Sequence, residues 1–126
     1  MTIRRLKTYT GSQGYVYQYY FVGKRPATAS DAHPSNAGRS DADEYIFDVT
    51  SDRKLTYAVS IFLPYQVVAA WAESHGRRLA DSEQYAAVKM RLFRAFDEVE
   101  DMQAHGRQFQ IDEQSLEESL ASLGVE

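Results

Sequence analysis

The chain has 126 residues, 44% hydrophobic and 25% charged, with a formal net charge of −4; this is the profile of one globular domain built around a single core. It has no cysteine, which excludes disulfides, thiolate chemistry and Cys-based zinc sites. No run of about eighteen apolar residues occurs, which excludes a membrane-spanning helix, and no apolar stretch follows Arg4, Arg5 and Lys7, so a soluble, cytoplasmic protein is expected.

The first element is a strand over residues 2–9. Gly11-Ser12-Gln13-Gly14 then reads as a hairpin loop, because glycine accepts positive φ without a Cβ clash. A phosphate-cradling loop would need a helix to follow, and residues 15–23 are strand formers. That second strand lies within G-Y-V-Y-Q-Y-Y-F-V-G, residues 14–23. Alternation puts Tyr15, Tyr17, Tyr19 and Phe21 on one face and Val16, Gln18, Tyr20 and Val22 on the other. The texture changes over residues 24–43, where two prolines, small residues and short polar side chains predict a flexible loop with little to bury.

Residues 44–50 and 55–63 alternate as a hairpin around a turn at 51–54. Tyr45, Phe47, Val49, Leu55, Tyr57, Val59, Ile61 and Leu63 form one face; Glu44, Asp48, Thr50, Thr56, Ala58 and Ser60 form the other. This is the half-buried antiparallel pattern. Pro64 suits the first position of a helix that runs through Val67, Val68 and Trp71 and stops at Gly76. Asp81 or Ser82, with Gln84, predicts the cap of a second helix. Its apolar stripe is Tyr85, Val88, Leu92, Phe96 and Val99, with Phe93 beside it, and it ends near Gly106. Residues 107–111 read as a linker or short extra strand. Asp112 caps a last helix carrying Leu116, Leu120 and Leu123. The expected architecture is one α+β domain spanning 1–126: a four-stranded antiparallel meander, then two or three helices packed on one sheet face.

The second strand is the anomaly. Its tyrosine row suits a core under the helices, against Trp71, Phe93 and Phe96. The opposite row leaves Val16, Tyr20 and Val22 on a face otherwise kept polar, where Ile46 and Phe62 have the parity to join them. An apolar patch there calls for a cover: the protein's own last helix or loop, or a second copy of the sheet. The leading functional reading is a small non-catalytic protein-binding or adaptor module, a homodimer whose contact is carried by Val16, Gln18, Tyr20, Val22, Ile46 and Phe62. The alternative is a single-stranded nucleic-acid surface, with Tyr20 stacking bases inside a rim of Arg4, Arg5, Lys7, Lys24 and Arg25.

A third class, a small enzyme, finds little support. His33, His75 and His105 have no metal-ligand spacing; His75 and His105 precede glycines where helices should end, and there a cation favours the last carbonyls. Asp41, Asp43, Glu44 and Asp48 lack the spacing of a calcium loop, and no G-x-S-x-G elbow occurs. No catalytic residue, metal or cofactor is expected. Charge is also uneven. Residues 1–30 hold five basic residues and no acid, whereas residues 97–126 hold nine acids against Arg107 alone, so the two ends can compensate each other or steer partners.

Overall fold

The structure, a computed structural model, describes residues 6–11, 16–28, 40–52, 54–99 and 107–125. Arg4, Arg5, Tyr15, His33, His105 and Gly106 lie outside these residues. The elements run β1 (Lys7–Thr10), β2 (Val16–Ala27), β3 (Ala42–Thr50), β4 (Tyr57–Pro64), α1 (Tyr65–His75), α2 (Asp81–Glu98), β5 (Gln108–Gln110) and α3 (Glu113–Ser122). The sheet order follows the chain, β1-β2-β3-β4-β5; the first three pairings are antiparallel and the last is parallel. The expected α+β arrangement holds, but the four-stranded meander becomes a mixed sheet of five.

The fifth strand has a backbone cause rather than a side-chain one. β4 has an open edge, and the chain returns to it after the two-helix crossover that a parallel pairing requires. Ser60 donates its N–H to the Arg107 carbonyl at 2.8 Å, and Ile111 donates to the Phe62 carbonyl at 3.0 Å. Arg91 of α2 adds a clamp: its Nε donates to the Gln110 carbonyl at 3.3 Å, and its guanidinium lies 5.0 Å from the Phe109 ring centre. Three residues are too few for alternation to announce a strand.

Boundaries shift for equally local reasons. β2 runs to Ala27 and β3 begins at Ala42, so the ends of the expected 24–43 loop are strand; residues 29–39 lie outside the described residues. β4 starts only at Tyr57, leaving Leu55 59% exposed. Pro64 ends β4 and caps α1 rather than opening its first turn. Gly76 closes α1 with φ +71°, the left-handed conformation that glycine adopts without penalty. α2 is capped by Ala80, not Asp81 or Ser82, and Glu83, not Gln84, reaches back to the Ala80 N–H at 2.8 Å. Arg77 grips the same carboxylate at 3.0 and 2.9 Å, and these bonds hold the Glu83 carboxyl down at about 2. Asp112 caps α3 as expected, accepting from the Ser115 N–H at 2.7 Å.

All three helices feed one core on the odd-numbered sheet face. Tyr17, Tyr19, Tyr45, Phe47, Val49, Val59 and Ile61 meet Val88, Leu92, Phe96, Leu116 and Leu120 there. Tyr17 stacks on Phe96 with ring centres 4.3 Å apart, and Tyr9 stacks on Phe93 at 4.5 Å. Trp71 of α1 is also in this core, and its ring stacks on His75 at 4.1 Å rather than on the tyrosines of β2. His75, in the last turn of α1 as expected, bonds Glu117 of α3 at 2.8 Å, so it also ties two helices together.

Candidate functional site

Among the described residues every helix lies on one side of the sheet, so the even-numbered face has no helix over it. Cross-strand register lays out its rows. Gln18 stands opposite Thr50, Tyr20 opposite Asp48, Gly23 opposite Ile46, and Arg25 opposite Glu44. Across β3 the rows continue from Asp48 to Ala58, Ile46 to Ser60 and Glu44 to Phe62. Gln108 and Gln110 extend the last two rows onto β5. Tyr20, Ile46 and Phe62 therefore form a diagonal apolar stripe, one residue per strand, and all three are half-buried. Val16, 44% exposed, sits at one end beyond Gln18.

Among the described residues no helix covers the stripe. α3 packs against α1 and α2, with Leu116 and Leu120 in the core, so the last helix does not cross to this side. A side chain added at Gly23 would meet open space, since nothing lies within 4 Å of where its Cβ would stand.

Val22 departs from the expected row. The register shifts between Phe21 and Gly23, leaving Val22 as the extra residue of a bulge, 38% exposed. Alternation stops at a bulge, so the parity that set Val22 beside Tyr20 does not apply. The same bulge reverses the residues after it. Lys24 stands opposite Tyr45 and Lys7 opposite Tyr19, both on the helix side. Of the basic rim read from the sequence, only Arg25 shares a face with Tyr20, and Arg4 and Arg5 lie outside the described residues. A stacking surface ringed by cations is not assembled among the described residues.

The polar groups between the apolar ones satisfy one another. Tyr20 donates its hydroxyl to Asp48 at 2.6 Å. Arg25 Nε donates to Glu44 Oε1 at 2.8 Å, and Ser60 donates to the other oxygen, Oε2, at 2.6 Å. Glu44 and Ser60 are only 7% and 8% exposed although they point away from the core. Burial alone would raise the Glu44 carboxyl, but the Ser60 and Arg25 hydrogen bonds outweigh it and hold the group below its ordinary value. Sequence reasoning assigned Glu44 and Ser60 to a wet face and missed this network; the pairing register, which places Ser60 diagonally from Glu44, was the lacking piece.

Chemically the face offers hydrogen-bonded pairs and a flat apolar diagonal. Among the described residues it holds no histidine, and no group of three His, Cys, Asp or Glu is placed to hold a metal. The exposed Ala58 and the half-buried Gly23 and Ala27 lie between the larger ones, so another surface can approach closely there, whereas Ala42 is fully buried. In comparison with known proteins, the chain matches no protein-family model, no curated protein and no solved structure.

Proposed function

We propose that the protein is a small non-catalytic binding module that self-associates through its open sheet face, two copies packing around the Tyr20–Ile46–Phe62 diagonal. The observation that carries this reading is the internal pairing of the face's charges. Desolvating a charge is expensive unless it is already paired and hydrogen-bonded. Here Arg25, Glu44 and Asp48 each hold a partner within the same sheet. A face prepared in this way loses little when water is removed, and its apolar diagonal gains.

The charge balance favours a second copy over a polyanion. Two carboxylates and one guanidinium on the face give a slight excess of acid, which repels the dense charge of a phosphate backbone; against a second copy the repulsion is small, because Glu44 is paired with Arg25 and Asp48 is hydrogen-bonded within each sheet. Size sets the strength. Strands of 4, 12, 9, 8 and 3 residues, at about 3.3 Å per residue and about 4.8 Å apart, present about 600 Å². That is below the about 800 Å² per partner of a standard interface, so the dimer is expected in the micromolar range.

Light scattering over a dilution series tests this. The expected result is a mass that falls from dimer to monomer in the micromolar range. Ala58→Glu, which adds a charge at an exposed position on the face, should leave only monomer without altering the fold. A mass that stays at one chain at every concentration would overturn the reading, as would a dimer indifferent to Ala58→Glu.

A further inference from the structure

The helix side carries a feature that the open face does not use. A cavity of about 500 Å³ opens where the end of β4, α1 and the start of α2 meet. Leu63 and Leu79, 1% and 6% exposed, supply its apolar floor, and Val68, Ala69 and Ala72 of α1 supply a wall. The volume falls in the range of sites for small molecules, which are mostly apolar with a few polar groups that set orientation.

Four charged side chains stand on its rim: Lys24, Asp43, Arg78 and Asp81. The first two are engaged with each other, Lys24 Nζ lying 3.9 Å from Asp43 Oδ2, and Asp43 Oδ1 also accepts the Tyr65 hydroxyl at 3.0 Å. Arg78 and Asp81 are different. They flank the buried Leu79, and among the described residues neither makes an ion pair, with each other or with any other group. Burial first, then the Asp43 and Asp81 carboxylates, push the Tyr45 hydroxyl up to about 12, so both carboxylates act at the same end of β3.

The rim thus has two positive and two negative groups and no net charge. A simple anion or cation would find repulsion alongside attraction at such a mouth. A molecule that carries both signs satisfies the unpaired guanidinium and the unpaired carboxylate together, while an aliphatic part takes the apolar floor. We propose that this cavity binds a zwitterionic amino compound with an aliphatic side chain, of the class of apolar α-amino acids and their dipeptides. Its carboxylate lies on Arg78, its ammonium on Asp81, and its side chain over Leu63 and Leu79.

Amide chemical shifts of the full chain, titrated with L-leucine and with leucyl-leucine, test the proposal. One or both should move the signals of Leu63, Val68, Ala72 and Leu79 and leave those of the open face unchanged. N-acetyl-leucine lacks the ammonium and leucinamide lacks the carboxylate; each should bind about tenfold more weakly than leucine or more weakly still. Arg78→Gln should weaken leucine but not leucinamide, and Asp81→Asn should weaken leucine but not N-acetyl-leucine. Both positions are exposed, so the variants keep the fold, and an unchanged unfolding midpoint verifies that. Ala69→Leu, on the exposed wall, should reduce binding without touching either charge. The proposal is overturned by the absence of shifts at millimolar ligand, by charge-stripped derivatives that bind as well as leucine, or by binding that ignores Ala69→Leu.

Discussion

The two faces of one sheet share strands, register and twist, yet they are built on different rules. On the helix side nearly every position is apolar and closed by aromatic stacking: Tyr17 on Phe96 at 4.3 Å, Tyr9 on Phe93 at 4.5 Å. On the open side the apolar groups are thinned to a diagonal, and the spaces between are filled by polar pairs that complete one another: Tyr20 with Asp48, and Arg25 with Glu44 and Ser60. The first face is finished within the chain. The second is polar enough to stand in water, with its charged groups paired inside the sheet. What separates them is that the first is apolar and closed by stacked rings, whereas the second intersperses its apolar diagonal with polar groups already bonded to one another.

The largest effect should come from substituting a phenylalanine on each face. Phe47 is fully buried on the helix side, and Phe47→Ala should cost about 3–5 kcal/mol of unfolding free energy by denaturant titration, since it opens a cavity in a packed core. Phe62 is half-buried on the open side, and Phe62→Ala should cost the monomer only about 1 kcal/mol while shifting self-association to higher concentration. Equal losses from both would erase the distinction between the faces.

Next comes Glu44. Its folded carboxyl is held below the ordinary value near 4.5 despite burial, by Ser60 and Arg25. A depressed carboxylate contributes stability that is fully present above its unfolded value and is lost as pH falls through its folded value. Glu44→Gln should therefore cost about 1–2 kcal/mol near pH 7, and its deficit against the parent should shrink as pH drops below about 4.5. Denaturant midpoints at pH 7 and pH 3 check this; a deficit that does not change with pH would mean that the carboxylate charge is not what the network uses.

The smallest effect concerns the seam between helices. His75 stacks on Trp71 and bonds Glu117, but Glu117 is 53% exposed in its side chain, so solvent screens the pair. His75→Ala should lower stability by about 0.5–1 kcal/mol, detectable as faster amide exchange in α3 with little change in the sheet.

Much of this was legible in the residues. The hairpin of β3 and β4, the inward tyrosine row and the Asp112 cap follow from alternation and capping chemistry, signals that sit within a few residues of their cause. What stayed hidden depended on partners far away in the chain. β5 exists because β4 offers an edge. The bulge after Phe21 changes which of Val22, Lys24 and Arg25 face which way, and no single side chain marks it. Glu44 looked like a solvated strand carboxylate because its partners, Arg25 and Ser60, lie nineteen and sixteen residues away. Trp71 is in the core, but its ring partner is His75 rather than a tyrosine of β2, a pairing that periodicity does not show.

The most direct test of the central claim is an isotope-filtered nuclear Overhauser experiment on an equal mixture of labelled and unlabelled chain, in which only contacts between copies give signal. The account predicts cross-peaks from the Ile46 methyl groups of one copy to the Tyr20 and Phe62 rings of the other. It would be contradicted by a spectrum without such peaks at concentrations where scattering reports a dimer, or by peaks arising only from Phe21, Leu55 or the helices.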